Sequence, residues 1–412
     1  MKAATNANLR NANLTIGGSA GKAPGAVMKN GWQTKTLGDV CAFDKAQGIH
    51  RGLPYVGLEH IESHTARFIG SSEPQPVKSS TFRFSEKHVL YGRLRPYLNK
   101  ALAPDFEGHC STEIFPLKPR PELSREYLLY WLLADETCDR INATCTGARM
   151  PRAQMNVVLG FEFPLSPLPE QQRIVCVLDE AFEGIATAKA NAEKNLQNAR
   201  ALFESHLQSV FTQRGPGWKQ KTLEEVSTTF GRGKSKHRPR NAPHLYGGKY
   251  PFVQTGDVRN ADHTITEYSQ TYCEAGLAQS KLWPAGTICI TIAANIAETA
   301  ILGFNACFPD SVIGVVANPK QANVGFIEYL LQSFKARLQA LGKGSAQANI
   351  NMGTFENERF PFPPVTEQKQ IVATLDELRE ETQRLATLYT RKFAALEALK
   401  KSLLHQAFTG QL

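Results

Sequence analysis

The chain has 412 residues, a formal net charge of +9 and 42% hydrophobic residues, which is a globular composition with room for two or three domains. The longest aliphatic stretch, near residues 288–304, is interrupted by polar side chains, so no run of about 18 apolar residues could cross a bilayer. Residues 1–30 lack the apolar segment of a secretory signal and predict a disordered tail. The eight cysteines show no C-x-x-C spacing, which argues against a disulfide framework or a zinc knuckle and favours a cytoplasmic protein.

Two sequence patterns follow the tail, and each occurs twice. Gly-Trp-x-x-Lys-Thr-Leu-x-x-Val stands at residues 31–40 and again at 217–226, an offset of 186. Glu-Gln-x-x-Ile-Val-x-x-Leu-Asp-Glu stands at residues 170–180 and again at 367–377, an offset of 197. Because the start and the end of each half recur at different offsets, each half has a variable body between fixed boundaries. The sequence therefore predicts a tandem duplication.

The bodies have the pattern of mixed α/β folds. Short apolar runs bounded by glycine and proline, such as residues 287–292, predict strands, whereas residues 125–134 and 325–341 have helical periodicity. Proline-rich junctions separate each body from the segment that follows it. The predicted segments are a tail at 1–30, a first body at 31–165, a first long helix at 166–214, a second body at 215–362 and a second long helix at 363–412.

Each half ends in the pattern of one long helix. Hydrophobic residues alternate at steps of four and three, which is typical of a coiled-coil seam, and helices on the order of 60 Å long would have to pack on each other to bury it. Asn195 and Lys392 fall on the same step of the two stripes, where they either fix the register or reach solvent at an exposed edge. The predicted seam comprises Ile174, Leu178, Ile185, Leu202, Ile371, Leu375, Leu378, Leu385, Leu396, Leu399 and Leu403.

The sequence matches no enzyme motif in full. Residues 17–23 lack the spacing and the hydroxyl of a P-loop, and residues 362–365 lack the polar first residue and closing aromatic of an amino-methyltransferase motif. The acids Asp105 and Glu113 are followed by Phe115 where a nuclease would have a lysine. The ten histidines are scattered, so no catalytic residue and no metal site are predicted.

Basic residues are concentrated in segments with the composition of loops. Residues 231–240 hold five cations and no acid, residues 91–100 interleave cations with tyrosines, and residues 146–152 and 342–350 precede the two junctions. Cations suit phosphates, and Arg, Gln and Asn can pair with base edges. A solvated loop at 231–240 and a strand edge with outward arginines at 91–100 remain alternatives. The candidate DNA-binding residues are Arg93, Arg95, Lys100, Arg149, Arg152, Arg232, Lys234, Lys236, Arg238, Arg240, Lys343, Gln347 and Asn349.

These features resemble the specificity (S) subunits of type I restriction–modification systems. The resemblance covers nearly the whole chain after residue 30, and it rests on the repeated Trp-x-x-x-x-Leu-x-x-Val openings, on Gly-Arg-Leu-Arg-Pro-Tyr-Leu-x-Lys at 92–100 and on Leu-Pro-Glu-Gln-Gln-Arg-Ile-Val at 168–175. The second copy of the last run departs mildly, with Val365-Thr366 for Leu-Pro. The resemblance implies two target-recognition domains that each recognise half of a bipartite DNA site. It also implies an antiparallel coiled coil with pseudo-twofold symmetry, whose length sets the unread spacer.

By the same resemblance the chain would be non-catalytic and without a cofactor of its own. Two modification subunits would bind S-adenosylmethionine and methylate adenine in double-stranded DNA, and restriction subunits would add ATP- and Mg-dependent translocation and cleavage. Two other functions stay open, a stand-alone nuclease and a coiled-coil scaffold whose bodies bind protein. Intrinsic cleavage would favour the nuclease, whereas affinity that falls steeply with salt would favour a DNA-binding protein over a scaffold.

Overall fold

A computed structural model describes residues 31–147, 149–237, 239, 242–293, 296–342 and 352–412, so the predicted tail lies outside the described residues. The chain forms two compact units. Within the described residues, the first consists of residues 31–189 and 394–412, and the second of residues from 190 to 393. Both boundaries fall inside long helices, so compactness divides the chain differently from the five segments predicted from the sequence.

The first unit combines short strands with helices. Two four-stranded sheets have the orders β2-β9-β6-β7 and β3-β5-β8-β4, and β1 pairs separately with β10. The helices are α1 (Leu37–Val40), α2 (Arg125–Leu133), α3 (Asp135–Ala143), α4 (Met155–Leu159) and the start of α5 (Leu168–Thr212). The strands are β1 (Gln33–Thr36), β2 (Cys41–Phe43), β3 (Gln47–Gly48), β4 (Tyr55–Val56), β5 (Thr81–Phe84), β6 (Val89–Gly92), β7 (Ala101–Leu102), β8 (Gly108–Cys110), β9 (Ile114–Pro119) and β10 (Glu162–Leu165).

The second unit repeats this plan with longer strands. A five-stranded sheet has the order β12-β20-β17-β18-β14, a four-stranded sheet has the order β15-β13-β19-β16, and β11 pairs with β21. The helices are α6 (Thr255–Asn260), α7 (Glu274–Ala278), α8 (Val324–Gly342), α9 (Met352–Asn357) and α10 (Val365–Thr409). The strands are β11 (Lys219–Lys221), β12 (Ser227–Arg232), β13 (Tyr246–Phe252), β14 (Thr264–Ile265), β15 (Gln270–Tyr272), β16 (Leu282–Trp283), β17 (Ile288–Thr291), β18 (Thr299–Leu302), β19 (Ala306–Cys307), β20 (Val312–Ala317) and β21 (Phe360–Phe362).

The duplicated opening forms the same local structure in both units. Its first strand pairs antiparallel with the Phe-Pro strand that ends the body, β1 with β10 and β11 with β21. The Thr36 N–H then donates to the Asp39 carboxylate at 2.9 Å, and the Thr222 N–H to the Glu225 carboxylate at 2.7 Å, so the same side-chain cap closes both turns. The Leu and the Val of the motif are fully buried in both units: Leu37, Val40, Leu223 and Val226.

The duplicated Glu-Gln pair places one glutamine inside each unit. The fully buried Gln171 accepts a hydrogen bond from the Ser124 N–H at 2.7 Å and donates to the carbonyls of Glu122 at 2.9 Å and Ser166 at 2.7 Å. It therefore ties the first turn of α5 to the loop before α2 and to the proline-rich junction. Gln368 makes the equivalent three bonds, to the Asn323 N–H at 2.8 Å and to the carbonyls of Gln321 at 3.2 Å and Pro363 at 2.8 Å.

The long helices pack antiparallel. In the first unit the Arg173 guanidinium donates to the Leu412 carbonyl at 2.8 Å, and further along Lys189 forms an ion pair with Glu397, so the start of α5 meets the end of α10. In the second unit the end of α5 shares a hydrophobic core with the start of α10, which contributes Leu375. The predicted fold class, mixed α/β with antiparallel packing of two long helices, is confirmed.

The predicted seam is wrong at Leu202 and Leu399, whose side chains are 60% and 47% exposed. The next residues, Phe203 and Lys400, are half-buried instead. Each error lies about four heptads after the start of its stripe, and a straight α-helix drifts by ~20° per heptad from a strict seven-residue repeat. Over four heptads the drift reaches about 80°, which is close to the angle of about 100° between consecutive residues, so the next residue takes the seam position. The other predicted seam residues are buried or half-buried: Ile174, Leu178, Ile185, Ile371, Leu375, Leu378, Leu385, Leu396 and Leu403.

The same drift accounts for the polar residues on the two stripes. Asn195 and Lys392 are both exposed, and the following residues, Leu196 and Phe393, are half-buried in their place. Of the two interpretations offered by the sequence, the structure therefore supports the exposed edge.

Candidate nucleic-acid interface

The fold of the first unit joins two of the basic segments predicted from the sequence. Leu94 and Arg152 face each other in an isolated β-bridge, the Arg95 N–H donates to the Pro151 carbonyl at 2.8 Å, and the Ala153 N–H donates to the Arg93 carbonyl at 2.9 Å. Segments far apart in the chain therefore form one surface. We call it the first basic surface and define it by Arg93, Arg95, Tyr97, Arg149, Met150 and Arg152.

Two arginines of the first basic surface share one carboxylate. The Arg152 Nη2 lies 2.9 Å from Glu113 Oε1, and the Arg93 Nε lies 3.6 Å from Glu113 Oε2. The Arg93 guanidinium also lies over the Phe115 ring, 5.3 Å from its centroid. The hydrogen bonds that Arg152 donates to the Glu113 carboxylate raise the pKa of Arg152, so this guanidinium stays charged. Glu113 thus fixes both arginines in place and offsets one of their two charges.

Arg95 and Arg149 differ from this pair. Both side chains are exposed, and neither makes a side-chain hydrogen bond or an ion pair within the part of the chain that the structure describes. Free cations of this kind are available to phosphate oxygens or to guanine edges. The first basic surface therefore combines two fixed arginines with two free ones.

Lys100, a predicted DNA contact, forms a hydrogen bond within the first unit. Its side chain is half-buried, and Nζ donates to the Leu58 carbonyl at 2.6 Å. The lysine thereby satisfies a backbone acceptor of the neighbouring loop. Lys100 is thus a structural donor of the first unit, and its role in binding DNA stays a prediction.

In the second unit the basic segment follows the edge strand β12. Arg232 is exposed and its Nε donates to the Asp310 carbonyl at 2.7 Å, while Lys234 and Lys236 are exposed. A Cβ atom on Gly233 would lie 2.3 Å from the Phe308 carbonyl oxygen, so only glycine lets the segment approach this backbone so closely. Five further candidates lie outside the described residues: Arg238, Arg240, Lys343, Gln347 and Asn349.

A cleft of about 440 Å³ beside this segment contains residues that the sequence analysis missed. The Gln254 side chain donates to the Gln270 side chain at 2.7 Å, and both line the cleft together with Ser235. Amide side chains can pair with adenine. The two glutamines belong to no motif and lie in different segments, so nothing in the sequence predicts that they meet.

Two expectations from composition concern metal ions and membranes. Within the described residues, no group of three or more His, Cys, Asp or Glu side chains is arranged to hold a metal ion. No helix of the described ranges is both long enough and apolar enough to cross a membrane.

Comparison with known proteins decides the family. The family described as the type I restriction modification DNA specificity domain matches residues 29–197 and again residues 216–389. The chain belongs to this family. The resemblance seen in the sequence is thereby confirmed, and the family domain occurs once in each half of the duplication.

Relatives in the family of type I DNA specificity domains are distant in sequence. The Escherichia coli EcoDI specificity subunit is 27% identical over 176 residues, which cover 42% of this chain and 38% of that subunit, so the chain spans well under half of that relative's length. The crystal structure of the HsdS subunit from Thermoanaerobacter tengcongensis matches with a TM-score of 0.66 and 22% identity over 93% of this chain and 98% of that one. A chain from a structural study of complex assembly in the type I R-M system matches with a TM-score of 0.78 and 23% identity, covering 93% of this chain and 99% of that one. Both structures have the same fold as this chain.

Proposed function

We propose that this chain is the non-catalytic DNA specificity subunit of a type I restriction–modification complex, in which each body recognises one half of a bipartite site in double-stranded DNA. The observation that carries the proposal is the double match to the DNA specificity domain, one match in each half. The first basic surface supports it, because free and fixed arginines on one face suit a DNA backbone and its base edges. The exposed cations after β12 support an equivalent role for the second body.

The proposal extends to partners and cofactors. Two modification subunits suit a chain that presents the same fixed motifs twice, since each copy offers one equivalent docking position. S-adenosylmethionine would then bind to the modification subunits, and ATP and Mg to the restriction subunits, with none of them on this chain. The continuous helices α5 and α10 would set the number of unread base pairs between the half-sites. The complex would act in the cytoplasm.

The test begins by mapping methylated adenines in DNA from cells that express this chain with its cognate modification subunit. We expect one bipartite sequence with a fixed spacer. The purified complex should then bind a duplex that carries both half-sites more tightly than one that carries either alone, and affinity should fall steeply with salt. Methylation or cleavage by the purified chain alone would overturn the non-catalytic role, and binding that ignores salt would overturn recognition of DNA.

The free arginines allow a sharper version of this test. Arg95→Ala or Arg149→Ala should weaken DNA binding by the complex, and removing one cation that neutralises a phosphate should lower the slope of log affinity against log salt by about one. Lys78→Ala serves as the matched control, because this exposed lysine of the first body lies outside the first basic surface. Equal effects of all three substitutions would show that the first basic surface has no special part in binding.

A further inference from the structure

The first basic surface carries two large apolar side chains in contact with solvent. Tyr97 is 48% exposed and Met150 is 46% exposed, and free arginines stand close to both in the chain, Arg95 and Arg149. A single exposed apolar residue is ordinary on a protein surface. Tyr97 differs from such a residue because buried groups fix the backbone of its turn.

Tyr97 sits at the middle of a tight and strained turn. Residues Pro96–Leu98 form one turn of 3₁₀-helix, and the residues on either side, Arg95 and Asn99, both have left-handed backbone conformations with φ of 53° and 41°. Non-glycine residues adopt this conformation at a cost, and they keep it only where the surroundings determine it. The Leu98 N–H closes the turn on the Arg95 carbonyl at 2.9 Å.

Hydrogen bonds from buried groups fix this turn in place. Asn99 is fully buried and donates from Nδ2 to the Leu133 carbonyl at 3.2 Å, and the Cys138 thiol lies 3.3 Å from the Pro96 carbonyl and donates to it. Lys100 adds its bond to the Leu58 carbonyl. The turn is thus anchored at its start and at its end. The backbone that carries Tyr97 is therefore fixed before any partner binds, and the ring on it is about half exposed.

The charge around the ring selects the partner. Four arginines stand on the first basic surface, and Glu113 pairs with two of them. A polyanion is therefore the occupant that this surface favours. Phosphate contacts alone would need no aromatic side chain, whereas bases stack on aromatic rings, and apolar side chains inserted between base pairs unstack them.

We infer that the Tyr97 ring stacks against an opened base step in the duplex bound by the first body. The inference rests on the proposed function and adds a specificity-determining residue to it. A step that opens easily, such as pyrimidine–purine, accepts the ring at a lower cost than a stiff step does. The first body would then recognise the deformability of one step without a hydrogen bond to its base edges.

The experiment uses the complete complex of this chain with its modification subunits and the mapped duplex site. The probes are the intact duplex and a series of duplexes with a single mismatch placed at successive positions of the first half-site. We expect Tyr97→Ala to lower affinity for the intact duplex about tenfold. Tyr97→Phe should retain it, because phenylalanine keeps the aromatic ring on which the base stacks. A mismatch at the contacted step should restore most of the affinity of Tyr97→Ala, since that step is already opened.

A second readout separates stacking from a general weakening of binding. 2-Aminopurine placed at the contacted step should brighten when the unchanged complex binds and should stay dim with Tyr97→Ala. Tyr268→Ala is the matched control, because Tyr268 is 46% exposed in the second unit and should leave the signal in the first half-site unchanged.

The outcomes distinguish this inference from the function beneath it. Site-specific binding with equal affinity for Tyr97→Ala and the unchanged complex overturns the role of Tyr97 and leaves the proposed function standing. So does a loss of affinity that no mismatch restores and that leaves the 2-aminopurine signal bright. A complex that shows no preference for two half-sites overturns both. Unchanged thermal unfolding of the variants excludes misfolding as the cause of a loss.

Discussion

At the scale of single residues, the repeated glutamines explain why the Glu-Gln pair recurs in both halves. Gln171 satisfies one N–H and two carbonyls inside the first unit, and Gln368 does the same inside the second. The repeated Glu-Gln pair therefore marks a fixed joint between helix and body. The carboxamide can do this because it offers an acceptor and two N–H donors from one planar group.

Gln171→Ala should destabilise the first unit by about 3 kcal/mol, because each buried polar group left without a partner costs about 1–3 kcal/mol. Hydrogen exchange should show the loss of protection in α2 and at the start of α5, with little change in the second unit. Gln172→Ala, an exposed neighbour in the same helix, is the control. Equal effects of the two substitutions would mean that the buried hydrogen bonds contribute nothing.

His109 gives the first unit a dependence on pH. The side chain is fully buried, with Nδ1 2.9 Å from the Thr81 hydroxyl and Nε2 3.2 Å from the Gln75 carbonyl, and burial lowers the pKa of His109 below its ordinary 6.5. Between the two values the unfolded chain binds more protons than the folded chain. Stability from this group is therefore fully present above about pH 6.5 and declines as pH falls toward the lowered pKa.

We expect the unfolding midpoint of the first unit to fall as the pH drops below about 6.5, and His109→Gln to flatten that part of the profile. Denaturant unfolding at closely spaced pH values, followed by hydrogen exchange in β5 and β8, measures both effects. A profile of unchanged steepness in His109→Gln would assign the acid sensitivity to other groups.

At the scale of elements, the register of α5 can be tested by two leucines. Leu178 is fully buried in the first unit, so Leu178→Ala should cost about 2–5 kcal/mol in the free energy of unfolding. Leu202 is 60% exposed, so Leu202→Ala should change that free energy by less than about 0.5 kcal/mol. Urea unfolding of the two variants checks the pair. A large loss of unfolding free energy in Leu202→Ala would instead support a seam with a strict seven-residue repeat.

The elements also show which parts of the structure the sequence could predict. Uninterrupted periodicity predicted helices at 166–214 and 363–412, and the structure has them at Leu168–Thr212 and Val365–Thr409. Helix pattern is local, so it can be recognised in one sequence. The bridge between Leu94 and Arg152 and the shared Glu113 depend on pairing between distant segments, which no local pattern encodes. The candidate site was therefore predicted as separate basic segments but not as one surface.

At the scale of the whole molecule, the length of the helices should determine the spacer of the DNA site. A heptad inserted into residues 191–201 of α5 alone would shift its register against α10, so the test inserts one there and one at the equivalent residues 388–398 of α10. Seven residues add ~10 Å of helix, and at 3.4 Å per base pair we expect a spacer about three base pairs longer. Mapping methylated adenines in cells measures it. Methylation that continues at the original spacer would show that the helices do not set it.

The antiparallel pairing of α5 with α10 has a consequence for the duplication. The ion pair Lys189–Glu397 uses positions whose counterparts in the other copy, 197 residues away, are Ala386 and Arg200. Two copies of the first half would therefore oppose Lys189 with Arg200, two like charges. Two copies of the second half would oppose Glu397 with Ala386 and lose the ion pair, so this contact needs one copy of each half.

The ring and the cation beside this pair depend on both halves in the same way. Lys400 lies over Phe182 in the first unit, 5.3 Å from the ring centroid, and the equivalent positions in the second unit hold Arg379 and Phe203, so the ring lies on α5 and the cation on α10 in both units. Two copies of the first half would place Phe182 opposite Phe203, and two copies of the second half would place Arg379 opposite Lys400. Exchange of a body between the junctions leaves these pairs untouched. The contacts between the helices therefore depend on one copy of each half and not on the sequence of the bodies.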